Sequence, residues 1–114
     1  MEARAVHKYI GSSPRKMRLV VDLIRGMPVN KAMEVLHFST KHASRDAVKV
    51  LRSAIANLMN NDDSAPVEPE ELFIKEVYVN NGPMIKRIRP APMGRAFRIR
   101  KRACHLTIIV ASKV

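Results

Sequence analysis

Acidic residues are missing from the last third of this chain. All ten Asp and Glu lie at or before Glu76, whereas residues 77–114 hold nine Lys or Arg and no acid. The first 76 residues carry twelve basic groups against ten acids, so nine of the eleven net positive charges fall in the final 38 residues. Like charges at that density repel one another unless a polyanion lies alongside. Nucleic acid is the polyanion whose phosphates supply most of the affinity of basic proteins.

Other absences narrow the class further. There is no Trp, and Tyr9, Phe38, Phe73, Tyr78 and Phe97 are the whole aromatic complement, too few for a platform of stacked rings. The single Cys104 excludes an intramolecular disulfide and fits a reducing compartment. His7, His37, His42 and His105 are scattered and no Cys pair exists, so no metal is expected. Asp62, Asp63, Glu68, Glu70 and Glu71 lack the spacing of a calcium loop. No Walker A, Rossmann or nucleophile-elbow pattern occurs, so neither a cofactor nor an enzyme activity is expected. An RNA-modifying enzyme would need a cofactor loop or an acid–base pair. The start, Met1–Lys8, has charges where a secretory signal is apolar. The longest apolar stretch, near Leu106–Ala111, is far short of the roughly 20 residues that span a bilayer. A soluble cytoplasmic protein with no membrane partner is expected.

What is present organises one domain of 114 residues with a modest core. Residues 2–10 alternate weakly and predict a strand, with Val6 and Ile10 on one side and Ala5, His7 and Tyr9 on the other. Ser13 as N-cap and Pro14 as first residue open a helix. Met17, Val20, Val21 and Ile24 form its core stripe, and Gly26 and Pro28 mark its end. A second helix is predicted over about Val29–His37, with Val29, Ala32, Val35 and Leu36 inward. A third, over about 41–60, has Ser39 or Thr40 as its cap. Its inward stripe is Ala43, Ala47, Val50, Ala54 and Leu58, widened by Val48, Leu51 and Ile55. A polar loop runs from Asn60 to about Glu70, and Leu72–Val79 and His105–Ala111 read as strands. Asn80-Asn81-Gly82-Pro83 between them would ordinarily signal a turn.

Residues 84–102 set Met84, Ile85, Ile88, Phe97 and Ile99 among eight cations: Lys86, Arg87, Arg89, Arg95, Arg98, Arg100, Lys101 and Arg102. Pro90, Pro92 and Gly94 sit at the centre, which predicts a long β-hairpin with its tip near 90–94. A lone ribbon is marginal in water, so its partner is expected to hold it. Arg suits that role because its planar fork bonds phosphate in two places and stacks on bases. A disordered basic tail is the competing reading. The segment's interior position, and the apolar residues at intervals, argue against it. On the first helix, Arg15, Arg18, Asp22 and Arg25 share a face that either docks phosphates or is merely solvated. Cys104 beside His105 would diverge from it in a strand, which disfavours a thiol–imidazole pair.

These residues resemble the universal large-subunit ribosomal protein twenty-two family. The run Ser13-Pro14-Arg15-Lys16-Met17-Arg18-Leu19-Val20-Val21-Asp22-Leu23-Ile24-Arg25-Gly26 looks like that family's first helix, and Val50–Asn57 its long helix. Gly82-Pro83, Lys86-Arg87, Pro90, Gly94-Arg95-Ala96, Lys101-Arg102 and His105 match its hairpin. The resemblance implies an α+β fold in which three helices pack on a small three-stranded antiparallel sheet, with a long projecting β-hairpin at 82–104 and its tip region at 88–96. It implies binding to large-subunit ribosomal RNA across several of its domains, a role in assembly, and neighbouring ribosomal proteins as partners. The residues expected at the RNA are the eight hairpin cations, His105 and, more weakly, Arg15, Lys16 and Arg18. Pro90, Ala91, Pro92, Met93 and Gly94 would line the exit tunnel beside the nascent peptide. Two departures stand out. Ala91 replaces an Arg common at the family tip and Pro92 an Ala, leaving Arg89 to supply the charge; Cys104 replaces a common Ser. A free-standing architectural DNA-binding protein is the alternative, since basic two-stranded arms with a Pro tip also wrap DNA.

Overall fold

The computed structural model describes residues 2–60, 72–90 and 92–112, apart from the side chain of Phe97. The polar loop after Asn60, with its acidic cluster, and Ala91 at the expected tip fall outside the described residues. In chain order the elements are β1 (Glu2–Ile10), α1 (Pro14–Val21), α2 (Val29–His37), α3 (Ala43–Met59), β2 (Leu72–Asn81), β3 (Ile85–Pro90), β4 (Ala96–Lys101) and β5 (Cys104–Ser112). They form an antiparallel sheet in the order β1-β5-β2 and a separate two-stranded ribbon, β3-β4.

The helix signals work locally. Ser13 Oγ accepts from the Lys16 amide at 3.3 Å, with Pro14 at the first helical position. Met17, Val20, Val21 and Ile24 are all buried. The regular helix stops at Val21, and the chain tightens through amide bonds from Leu23 to Val20 and Ile24 to Val21. Gly26, at φ +78°, then reverses it in the left-handed conformation that only glycine adopts freely. Helix α2 has the predicted bounds. Helix α3 starts later than expected: its N-cap is His42, with no side-chain cap bond. The Ser39 hydroxyl accepts from the Lys41 amide instead, in a turn just ahead of the helix. The predicted stripe from Ala43 to Leu58 is buried, and its small alanines let α3 lie close on the sheet.

Strand β5 is central because both its edges are paired and its inward residues, Cys104, Leu106, Ile108 and Val110, are fully buried. The helices cover that face. On the other face Thr107 is buried between its cross-strand neighbours Val6 and Tyr78. The alternation expected in β1 breaks down. Ala5 and Ile10 are both buried whereas Val6 is 45% exposed. A register shift between His7 and Ile10 inserts a bulge, which flips the parity of every residue after it.

The free edge of β2 is covered by the α1 region. The Ile74 amide donates to Met27 O at 3.0 Å, Arg25 Nη2 donates to Val77 O at 2.8 Å, and Arg18 Nη2 donates to Val79 O at 3.0 Å. A bare edge is a template for intermolecular pairing, and these bonds occupy one of its amides and two of its carbonyls. Two of the cations on the α1 face therefore hold the sheet, which neither sequence reading foresaw. Arg25 also pairs with Asp22 at 3.1 Å.

The ribbon grows out of the same sheet. Asn81 and Cys104 are the last paired residues of β2 and β5, and the Gly82 amide donates to Ala103 O at 2.9 Å one step beyond. Pairing resumes at Ile85 and Lys101. A Cβ on Gly82 would lie 3.1 Å from the Ala103 carbonyl carbon and 3.2 Å from His105 Cε1, so glycine permits this close crossing. The result is elongated, 67 × 26 × 16 Å, with a radius of gyration of 17.4 Å. A compact chain of this length would have about 13 Å.

Candidate nucleic-acid interface

Register decides how the ribbon carries its charge. The pairs are Ile85 with Lys101, Lys86 with Arg100, Arg87 with Ile99, Ile88 with Arg98, and Arg89 with Phe97. Residues opposite one another share a face, and successive pairs alternate faces. One face therefore presents Lys86, Arg98 and Arg100, and the other Arg87, Arg89 and Lys101. Cations are shared equally, and in all but one of these pairs a cation stands opposite an apolar or aromatic residue. Only Lys86 and Arg100 oppose like with like, which limits the self-repulsion of the arm.

Among the described residues no acid pairs with these charges. Every β3 residue is exposed, as are Arg95, Arg98, Arg100, Lys101 and Arg102. The ion pairs among the described residues, Arg25–Asp22 and Lys75–Glu2, both lie elsewhere. Exposed apolar groups interleave with the cations: Ile85 is 50% exposed and Ile88 74%. Such a surface offers phosphate contacts and sugar or base contacts on both sides of a thin arm.

The tip closes through a single 3-10 turn, Pro92–Gly94, in which Met93 and Gly94 both have left-handed backbone, at φ +65° and +73°. Met93 is 95% exposed, more than any other large apolar residue among those described. Pro92 and Gly94 flank it, and Pro90 ends β3.

At the root, the two predicted sets of cations meet. Lys16, Arg100, Lys101 and Arg102 line one cleft of about 980 Å³, and Arg15, Arg18 and Arg102 line a second of about 370 Å³ on the other side. Among the described residues the larger cleft has no Asp or Glu in its lining. Sequence reasoning missed Lys41 and His42, which also line it. They belong to the α2–α3 connection and carry no local signal, because only the packing of α3 brings them beside the hairpin root. Arg18 is tied to Val79 O, and so contributes charge to the smaller cleft from a fixed position.

His105 and Cys104 separate as strand geometry requires. Cys104 is fully buried, and that burial pushes its thiol up from the ordinary value, with Asp46 adding and Arg18 opposing. The buried thiol is therefore protonated at neutral pH and is a poor nucleophile. His105 is half-buried, and its Nδ1 accepts from the Tyr9 amide at 3.0 Å. Its first role is to hold the end of β1 against the hairpin root. Among the described residues no group of three or more His, Cys, Asp or Glu could hold a metal, and no helix is long and apolar enough to cross a membrane.

Residues 5–111 match the family described as ribosomal protein L22p/L17e. The chain is 53% identical to the large ribosomal subunit protein uL22 of Chlorobium phaeobacteroides strain BS1 over 110 residues, 96% of this chain and 94% of that one. It is 50% identical to the protein of the same name from Chlorobaculum tepidum, over 96% of this chain and 92% of that one.

Proposed function

The chain belongs to the ribosomal protein L22p/L17e family, and on that premise we propose that its basic arm is the RNA grip of a structural component of the large ribosomal subunit. The protein works in the cytoplasm, within the ribosome, and is not an enzyme. It binds large-subunit ribosomal RNA and sits among other ribosomal proteins.

The observation that carries this reading is a slender ribbon with exposed cations on both faces, none of them in an ion pair among the described residues. Such an arm is marginal alone, and it gains most when RNA phosphates surround it. Lys86, Arg87, Arg89, Arg95, Arg98, Arg100, Lys101 and Arg102 contact phosphates or stack on bases. His105 joins them at the root, where Arg15, Lys16 and Arg18 add a weaker set of contacts. Residues 1–114 act as one domain, with 82–104 as the extended hairpin and 88–96 as its tip region. Pro90, Ala91, Pro92, Met93 and Gly94 line the nascent-peptide exit tunnel; the exposed Met93 at the far end supports this.

Hydrogen exchange tests the reading. Amides of residues 84–102 should exchange quickly in the free protein, because an exposed ribbon opens at little free-energy cost. They should be strongly protected in assembled large subunits. Equal exchange in the two states would overturn it, as would a cellular pool that sediments with the nucleoid instead of large subunits.

A further inference from the structure

Tyr9 is oddly placed. It is 68% exposed, although it lies in a strand, and its backbone is left-handed at φ +61°. An aromatic residue rarely adopts that conformation, which persists only where its surroundings enforce it. Here they do. The bulge in β1 sends Ile10 into the core and turns Tyr9 outward. The Tyr9 amide donates to His105 Nδ1 at 3.0 Å, and the two rings meet edge-on, with centroids 5.1 Å apart at 86°. An edge-on contact leaves at least one face of the tyrosine ring open.

Tyr9 lines the 980 Å³ cleft at the hairpin root, together with Lys16, Lys41 and Arg102. The space is far larger than one side chain and suits a small ligand. Among the described residues its lining combines this tyrosine with several cations and no carboxylate. That is the chemistry of a nucleotide: a flat base to stack and a phosphate to neutralise. A base inside a helix has both faces covered by its neighbours, so the platform accepts only a base that has left the stack.

We propose that this cleft seats one unpaired nucleotide of the RNA, its base on the Tyr9 ring and its phosphates among Lys16, Lys41 and Arg102. The inference rests on the RNA-binding reading above and adds to it a stacking residue outside the hairpin. It also gives the strained backbone a use: the bulge and the His105 contact set the Tyr9 ring outward before RNA arrives, which lowers the ordering cost on binding.

The test is binding to large-subunit ribosomal RNA transcribed in vitro, measured from 50 to 200 mM salt. The proteins compared are the wild type, Tyr9→Phe, Tyr9→Asn, Lys16→Ala and a hairpin variant with Lys86, Arg98 and Arg100 all changed to Ala. Asn tolerates the left-handed backbone, so Tyr9→Asn removes the ring while keeping the bulge; thermal melts check that it folds. Tyr9→Asn should bind about ten-fold more weakly with an unchanged salt slope, because stacking releases no counterion. Tyr9→Phe should bind like the wild type, and Lys16→Ala should make the slope shallower by about one. If Tyr9→Asn binds like the wild type while the hairpin variant is weakened, the cleft takes no base and this inference falls alone. If the hairpin variant and its opposite-face counterpart, with Arg87, Arg89 and Lys101 all changed to Ala, also bind like the wild type, the RNA-binding reading falls with it.

Discussion

Equal sharing of cations between the two faces of the ribbon leads to a quantitative prediction. Consider two triple variants: Lys86, Arg98 and Arg100 changed to Ala on one face, and Arg87, Arg89 and Lys101 changed to Ala on the other. Each neutralised phosphate contributes about 0.9 to the slope of log affinity against log salt on a duplex, and about 0.7 on a single strand. Losing three contacts should therefore make the slope shallower by about 2 to 3. Between 50 and 200 mM salt, a four-fold change, three duplex contacts alter affinity by about 40-fold. The penalty of either variant should thus be about 40-fold larger at the lower salt. Folding should be unaffected, because these side chains are exposed and make no ion pair among the described residues. Removing the opposed Lys86 and Arg100 should, if anything, relieve a repulsion of less than about 1 kcal/mol in water. Filter binding or fluorescence anisotropy across a salt series measures the slope, and circular dichroism melts serve as the control. Equal losses from the two variants mean that RNA grips both faces. A loss confined to one variant refutes the two-sided grip, and unchanged slopes in both refute the hairpin as the RNA contact.

Other predictions concern the root and the core. Arg18→Met and Arg25→Met each remove a charge-assisted bond to a β2 edge carbonyl, at 3.0 and 2.8 Å. Each should lower stability by about 1–2 kcal/mol in urea unfolding, or about 4 °C in melting temperature per kcal/mol; unchanged midpoints would mean that the edge bonds are idle. Gly82→Ala sets a methyl 3.1 Å from the Ala103 carbonyl carbon, and should lose about 1–3 kcal/mol, with NMR shift changes centred on Ala103 and His105. Changes confined to residue 82 would contradict that close crossing. Cys104 should resist alkylation in the native protein and react at once in denaturant. Its thiol titrates higher when folded than when unfolded. As pH rises past the ordinary thiol value, about 8.5, the unfolded state loses its proton first and stability should fall. A Cys104→Ala variant should lack that alkaline loss, and urea midpoints at pH 7 and pH 10 measure the difference.

Several features are legible in the sequence because their causes are local. The Ser13-Pro14 start, the Gly26 stop and the stripe from Ala43 to Leu58 are signals of caps and of helical period, read within a few residues. The Pro90, Pro92 and Gly94 cluster between two cationic, apolar-dotted arms marks a hairpin tip for the same reason. Expectations failed where the cause was distant. The alternation in β1 was read without its bulge, which follows from pairing with β5. The cap of α3 was assigned to Ser39 or Thr40, yet the Ser39 hydroxyl bonds the Lys41 amide and the helix begins after His42.

The sequence by itself determined the separation of charge, the helices and strands, and the existence of a cationic arm, since composition and short-range spacing encode each of them. Tertiary structure alone decided that Arg18 and Arg25 close a sheet edge and that the arm divides its charge evenly between two faces. It also decided that Tyr9, Lys16, Lys41 and Arg102 share one cleft. Those outcomes depend on which segments become neighbours and in what register, and a shift of one residue in either would place the same side chains on opposite sides of the molecule.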